Sequence, residues 1–113
     1  MGMGRMKRGD IVSIALTGDY GKPRPGLIIQ SDFFLATHSV TILPMTSHLL
    51  DAPLFRILVT PTRTNGLKIA SNIMIDKAYT TPREKIGKIM GHLDSKTILM
   101  VERALAVFLG IAK

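Results

Sequence analysis

The residues best suited to chemistry lie in a loop rich in glycine and proline between Thr17 and Pro25. The loop carries Asp19, Tyr20, Lys22 and Arg24, and a proline stands on each side of the arginine. Because proline fixes its own φ angle, the guanidinium group leaves a stiffened backbone, which suits a charge that must point at a phosphate. A basic surface loop that only aids solubility is the alternative interpretation.

A second candidate segment reads Pro44-Met45-Thr46-Ser47-His48. Hydroxyl groups at the end of a strand can donate to a phosphate oxygen. His48 is the best candidate for a general acid or base among the histidines, because it shares a loop with Thr46 and Ser47. The alternative is ordinary turn chemistry, in which serine and threonine are common.

Asp76 ends an apolar segment that we expect to be a strand, and it precedes the polar residues 77–83, so it is either a functional carboxylate or part of an Asx turn. The chain has three histidines, and none has the spacing of a zinc motif, so we expect neither a metal nor a cofactor. The Gly-x-Ser-x-Gly elbow and the glycine-rich phosphate loops are also missing. Tyr20 and Tyr79 can each stack on one base.

Short apolar segments with turn residues between them predict five or six strands around these candidates. They are Ile11–Leu16, Gly26–Gln30, Ser39–Leu43, Phe55–Thr60, Ser71–Asp76 and Glu84–Met90. We expect Pro44 to end the third strand and the polar segment 77–83 to be a connection. From Asp94 onward the apolar residues recur at helical spacing, which predicts a helix with Asp94 as its N-cap and Gly110 at its C-terminal end. The predicted fold is mainly β with a C-terminal helix, in the form of a small barrel whose open edge the helix covers.

Length and composition exclude several classes of protein. A chain of 113 residues is one domain, 1–113, of which we expect residues 1–7 to be a flexible extension. With no cysteine it has no thiol nucleophile or disulfide, which suits a reducing compartment. The net charge of +7 favours a polyanionic partner. The longest uncharged stretch is too polar to span a membrane, and we expect a cytoplasmic protein.

The ordered set of segments resembles the MazF/PemK family of toxins from type II toxin–antitoxin modules, over residues 8–110. The segments on which the resemblance rests are Arg8-Gly9-Asp10-Ile11-Val12, Arg24-Pro25-Gly26-Leu27, Leu43-Pro44-Met45-Thr46-Ser47, Asn65-Gly66-Leu67, Ser71–Asp76 and Ile86–Leu93. The resemblance implies an SH3-like barrel of the PemK/CcdB type, a homodimer and a small acidic antitoxin. It also implies sequence-selective, metal-independent cleavage of single-stranded RNA, in which the 2′-oxygen attacks the adjacent phosphate.

Matched residue by residue, the resemblance makes Arg24, Thr46 and Asp19 catalytic, although Asp19 stands where glutamate is usual. Asp76 matches the family's strand-ending aspartate. The other substrate contacts that we expect, Tyr20, Lys22, Ser47, His48 and Lys77, follow from residue type and from their places beside Arg24, Thr46 and Asp76. Lys77 replaces a common glutamine, and Met74 stands where the PemK branch has a catalytic arginine.

Two other functions stay open at this level. The CcdB branch of the fold poisons DNA gyrase without catalysis, through a C-terminal helix that typically ends in Trp-Gly-Ile. This chain has no tryptophan and ends Leu109-Gly110-Ile111-Ala112-Lys113. The third possibility is an inactive member that only binds an antitoxin or nucleic acid, which the departures at Met74 and Lys77 would suit.

Overall fold

The computed structural model describes residues 5–15 and 22–112. These ranges contain seven strands and one α-helix. They are β1 (Asp10–Ile14), β2 (Arg24–Ile28), β3 (Ser39–Thr46), β4 (Arg56–Val59), β5 (Ser71–Met74), β6 (Tyr79–Pro82), β7 (Ile86–His92) and α1 (Ser95–Phe108). Short 3-10 turns at Asp32–Phe34, Ile75–Lys77 and Arg83–Lys85 connect them. The prediction of a mainly β fold with a C-terminal helix is confirmed.

The strands form one antiparallel sheet in the order β4-β5-β3-β2-β1-β7, and β6 also pairs with β3. The prediction that Pro44 ends the third strand is wrong, because β3 continues to Thr46. On one side of β3, pairing with β6 ends at Ile42 and pairing with β5 begins at Met45. Pro44 therefore lies where the strand changes neighbours, a position that tolerates a residue without an N–H group.

The prediction of a connection over 77–83 missed β6. This strand is short and polar, and its backbone pairs with the first half of β3. Thr81 is buried, whereas the Thr80 hydroxyl meets that of Thr41 at 2.7 Å. The alternation of buried and exposed threonines is the period of a strand, but two residues of it are too few to stand out in the sequence.

Two apolar clusters form the core, one on each face of the central strands. The larger contains Leu27, Leu43, Ile73 and Val101, and the helix packs on it. The smaller contains Val12, Ile28 and Ile42, with Tyr79 packed against it. Burial of the Tyr79 ring raises the pKa of its hydroxyl. Met6 also packs against the smaller cluster.

Helix α1 begins and ends as the sequence predicts. The Asp94 carboxylate accepts from the Thr97 backbone N–H at 3.0 Å and from its hydroxyl at 2.7 Å. At the other end, Gly110 has a φ of 75°, and the Ile111 N–H donates to the Ala106 carbonyl, which is a Schellman cap. In the described ranges, no helix has the length and apolar character needed to cross a membrane.

Candidate active site

Arg24 is the first residue of β2, and its side chain is exposed. Pro23 and Pro25 flank it, and in β1 its partner is Ile14. Pairing with β1 therefore holds the backbone of Arg24 on one side. The two prolines restrict the backbone dihedral angles of the residues before and after it.

Thr46 is the last residue of β3, and it pairs with Asn72 of β5. Its hydroxyl oxygen accepts a hydrogen bond from the His48 backbone N–H at 3.1 Å. Because this bond uses a lone pair, the hydroxyl proton stays available for donation to another group. The turn beyond the strand therefore orients the hydroxyl group and leaves it able to act as a donor.

Arg24 and Thr46 belong to two strands that pair with each other, β2 and β3. Gly26 pairs with Pro44, Leu27 with Leu43 and Ile28 with Ile42. The pairing of β2 with β3 ends at Gly26 and Pro44, and extrapolation of this register by two residues would set Arg24 across from Thr46. Opposite residues in an antiparallel pair project from the same face, with Cβ atoms about 5 Å apart. Arg24 begins β2 and Thr46 ends β3, so each stands two residues beyond the last pair of these strands at the same end.

A groove of about 420 Å³ adjoins Arg24 on the side away from β3. We name it the Arg24 groove; its described lining includes Ser13, Gly66, Lys68 and Lys88. Three of its described lining residues carry positive charge and none is acidic. Thr46 is not part of the described lining.

The loop before β5 positions Lys68 in this groove. Its turn is held by the Asn65 side chain, whose oxygen accepts from the backbone N–H groups of Thr62 and Leu67, each at 3.0 Å. Gly66 has a φ of 70°, and a Cβ atom there would collide with the Met90 carbonyl. The strong Asn-Gly turn signal in the sequence therefore fixes how closely this loop approaches β7.

Asp76 lies in the 3-10 turn after β5 and forms an ion pair with Arg56 of β4. The two side chains are 21% and 12% exposed, respectively. Arg56 pairs with Met74 across the ladder, and its guanidinium carbon lies 5.2 Å from the centre of the Phe55 ring. An arginine from the neighbouring strand thus reaches the carboxylate, although the position two residues before Asp76 is occupied by Met74.

The other predicted contacts have simpler positions. Asp19 and Tyr20 lie outside the described residues. Lys22, which precedes Arg24 by two positions, is exposed. Ser47 and His48 are exposed in the loop after β3, and Lys77 is exposed at the end of its 3-10 turn. In the described ranges, no three histidine, aspartate or glutamate side chains gather closely enough to hold a metal ion.

Sequence reasoning missed Arg56, Lys68 and Lys88. Each belongs to a segment far along the chain from Arg24, and only the strand pairing and the loop contact bring them to the sites described. The net charge of +7 indicated an excess of basic residues, but it did not indicate which of them would lie together.

Comparison with known proteins identifies the family. The model of the PemK-like, MazF-like toxins of type II toxin–antitoxin systems matches residues 7–109. The chain belongs to this family. A probable endoribonuclease MazF from Mycolicibacterium smegmatis is 51% identical over 108 residues, which cover 95% of this chain and 99% of that protein.

Solved structures share the fold of this MazF-like toxin at lower identity. The Mycobacterium tuberculosis toxin MazF-mt6 is 22% identical, with a TM-score of 0.76 over 89% of this chain and 96% of that one. A mycobacterial endoribonuclease in complex with its cognate antitoxin is 21% identical, with a TM-score of 0.77 over 96% and 99%. The SH3-like barrel of the PemK/CcdB type, predicted from the sequence, is confirmed at the level of the fold.

Proposed function

We propose that this MazF-like toxin is an endoribonuclease that cleaves single-stranded RNA with Arg24 and Thr46 as catalytic residues. The observation that best supports the proposal is that Arg24 lies at the rim of a basic groove and that its strand, β2, pairs with β3, whose last residue is Thr46. The 51% identical relative, named as a probable endoribonuclease, supports the same activity.

The reaction needs only groups of the kinds found here. The 2′-oxygen of one ribose attacks the adjacent phosphorus, the bond from phosphorus to the 5′-oxygen breaks, and a cyclic phosphate and a 5′-hydroxyl result. Negative charge builds on the phosphoryl oxygens during the attack. The Arg24 guanidinium can meet two of these oxygens and the Thr46 hydroxyl can donate to one, which stabilises the transition state.

Metal independence follows from the position of the nucleophile. The 2′-oxygen belongs to the substrate and already lies near the phosphorus, so its attack is intramolecular. Two proton transfers remain, from the 2′-hydroxyl and to the departing 5′-oxygen. Asp19, His48 and Arg24 are the candidates for these transfers, of which arginine is the poorest base because it stays charged. A positioned acid or base contributes a factor of about 10²–10⁴ to the rate.

Further contacts with RNA are proposed on both sides of the catalytic pair. Tyr20 offers a ring for stacking on a base, and Lys22 offers a charge for a phosphate. Ser47 and His48 are exposed beside Thr46 and can reach the nucleotide held there. Asp76 and Lys77 would meet RNA together with Arg56, since the Asp76 carboxylate is already paired with that arginine.

The proposed partners follow from charge and family. The antitoxin complex among the related structures supports an antitoxin for this chain. We expect a small acidic protein whose C-terminal segment lies on the basic groove and competes with RNA. We also propose that the protein is a homodimer. We propose a cytoplasmic location, since the absence of cysteine suits that reducing compartment.

The test is incubation of the purified protein with a long single-stranded RNA in EDTA, followed by mapping of the cut ends. We expect discrete cuts with 5′-hydroxyl ends, and loss of cutting in Arg24→Ala. Arg103→Ala, which removes the same charge from the exposed face of α1, is the matched control and should cut normally. Cutting that requires added metal would overturn the mechanism. No cutting of any RNA, together with inhibition of DNA supercoiling, would replace the proposal with gyrase poisoning.

A further inference from the structure

A second basic groove lies beside the first and has no part in the cleavage chemistry described above. Its volume is about 790 Å³, and its described lining includes the cations Arg5, Arg83 and Lys88. None of the described lining residues is acidic. Met6, Ile86 and Ile89 give it an apolar floor. We name it the Arg83 groove.

The two grooves meet on β7. Lys88 and Ile89 line both the Arg24 groove and the Arg83 groove. β7 is the edge strand of the sheet, so within the described structure no further strand pairs with its outer side. Lys88 is exposed, and its backbone N–H donates to the Ser13 hydroxyl oxygen at 3.0 Å. A single chain of phosphates can therefore pass from one groove to the other over Lys88.

Arg83 is held in place at the far end of this path. Its Nε donates to the Thr37 carbonyl at 3.1 Å, and its backbone N–H donates to the His38 carbonyl at 2.8 Å. No hydrogen bond joins its two Nη atoms to another described residue. An arginine anchored through Nε loses little side-chain freedom when its Nη atoms bind an anion, which favours phosphate binding.

We propose that the Arg83 groove binds the sugar–phosphate backbone of the RNA that flanks the cleaved step. The inference rests on the proposed function, because the RNA that reaches Arg24 must continue in both directions. A strip of like charge that runs out of the active groove extends the attraction to the flanking phosphates. The apolar floor accepts riboses or base faces without reading their sequence.

The test compares binding of a short and a long RNA. Small nucleic-acid-binding barrels cover about 4–16 nucleotides, so RNAs of about these two lengths bracket the effect. Both carry 2′-O-methyl groups, which remove the nucleophile and prevent cleavage. In the double variant Arg5→Ala/Arg83→Ala, we expect the long RNA to bind about fivefold more weakly for each cation removed. The slope of log Kd against log salt concentration should decrease by about 0.7 for each cation removed. The ratio of the affinity for the long RNA to the affinity for the short RNA is therefore expected to be lower in the double variant than in the wild type.

Two further variants separate charge from structure. Arg103→Ala removes a cation outside both grooves, and the affinity ratio should stay at the wild-type value. Arg5→Lys/Arg83→Lys keeps the charges but removes the bond from Arg83 Nε to Thr37, and it should retain most of the preference for long RNA. If the lysine variant is as defective as the alanine variant and the Tm of both falls, Arg83 acts in folding and the inference is overturned.

The outcomes distinguish this inference from the proposed function. An unchanged affinity ratio in the double alanine variant would overturn the Arg83 groove, whether or not the wild-type protein cleaves RNA. A reduced ratio in a protein that never cleaves RNA would support the groove and refute the nuclease. An unchanged ratio together with weaker binding of polyglutamate would make the groove a docking site for an acidic protein, which also contradicts RNA binding there.

Discussion

Removal of the ion pair between Arg56 and Asp76 should destabilise the protein measurably. The two side chains are 12% and 21% exposed, so the pair is neither fully buried nor solvated. Loss of one partner costs about 3–5 kcal/mol in a buried pair and at most about 1 kcal/mol in an exposed one. We therefore expect Arg56→Ala to lower the free energy of unfolding by about 2 kcal/mol. For 113 residues, an unfolding entropy of about 2.1 cal/mol/K per residue converts this to a Tm decrease of about 8 °C.

The assay is a double-mutant cycle on thermal or urea unfolding with Arg56→Ala, Asp76→Ala and the double variant. We expect a coupling energy of about 1–2 kcal/mol, because each single variant leaves its partner partly buried and uncompensated. The double variant should be about as stable as the less stable single variant. Single variants that each cost under about 0.5 kcal/mol and add in the double variant would refute this reasoning.

Three other predictions concern Thr46, Asp94 and Gly66. Thr46→Ala should slow RNA cleavage by about 10²-fold, the usual cost of one transition-state donor, with a smaller effect on RNA affinity; unfolding of this variant at room temperature would instead assign the hydroxyl to structure. Asp94→Ala should cost about 1 kcal/mol as a lost N-cap. The Thr97 hydroxyl and N–H hold the pKa of Asp94 below its ordinary 3.8, so the cap contributes fully above that pH. Wild type and variant should therefore converge in acid titration below pH 3.8, and a constant difference would contradict the cap. Gly66→Ala should cost at least about 2 kcal/mol in urea unfolding, because its φ is 70° and a Cβ meets the Met90 carbonyl; Lys68→Ala, in the same loop, should unfold normally.

The sequence predicted the elements that have a strong apolar period. The buried strands and helix α1 were found because alternation and helical spacing are dictated by which face meets the core. β6 was missed because four residues of polar strand carry too little pattern. Pro44 was misread as a stop because the change of neighbours on β3 depends on strand order, which local sequence does not encode.

The candidate site was predictable where chemistry follows from local sequence. Arg24 between two prolines and Thr46 beside Ser47 were found from type and spacing. That their strands, β2 and β3, pair with each other was not established by the sequence alone. Arg56 was missed for the same reason, since its contact with Asp76 crosses from one strand to the next.

The most direct test of the central claim is the single-turnover cleavage rate of Arg24→Ala, Thr46→Ala and their double variant, with Arg103→Ala as control. Because both groups act on one phosphoryl group, we expect Arg24→Ala to lose at least about 10²-fold in rate while its Tm stays near the wild-type value. The double variant should be little slower than the slower single variant, as for residues that act as a unit. An Arg24→Ala protein that cleaves RNA within about tenfold of the wild-type rate would contradict the account, because one missing transition-state donor should cost more than that.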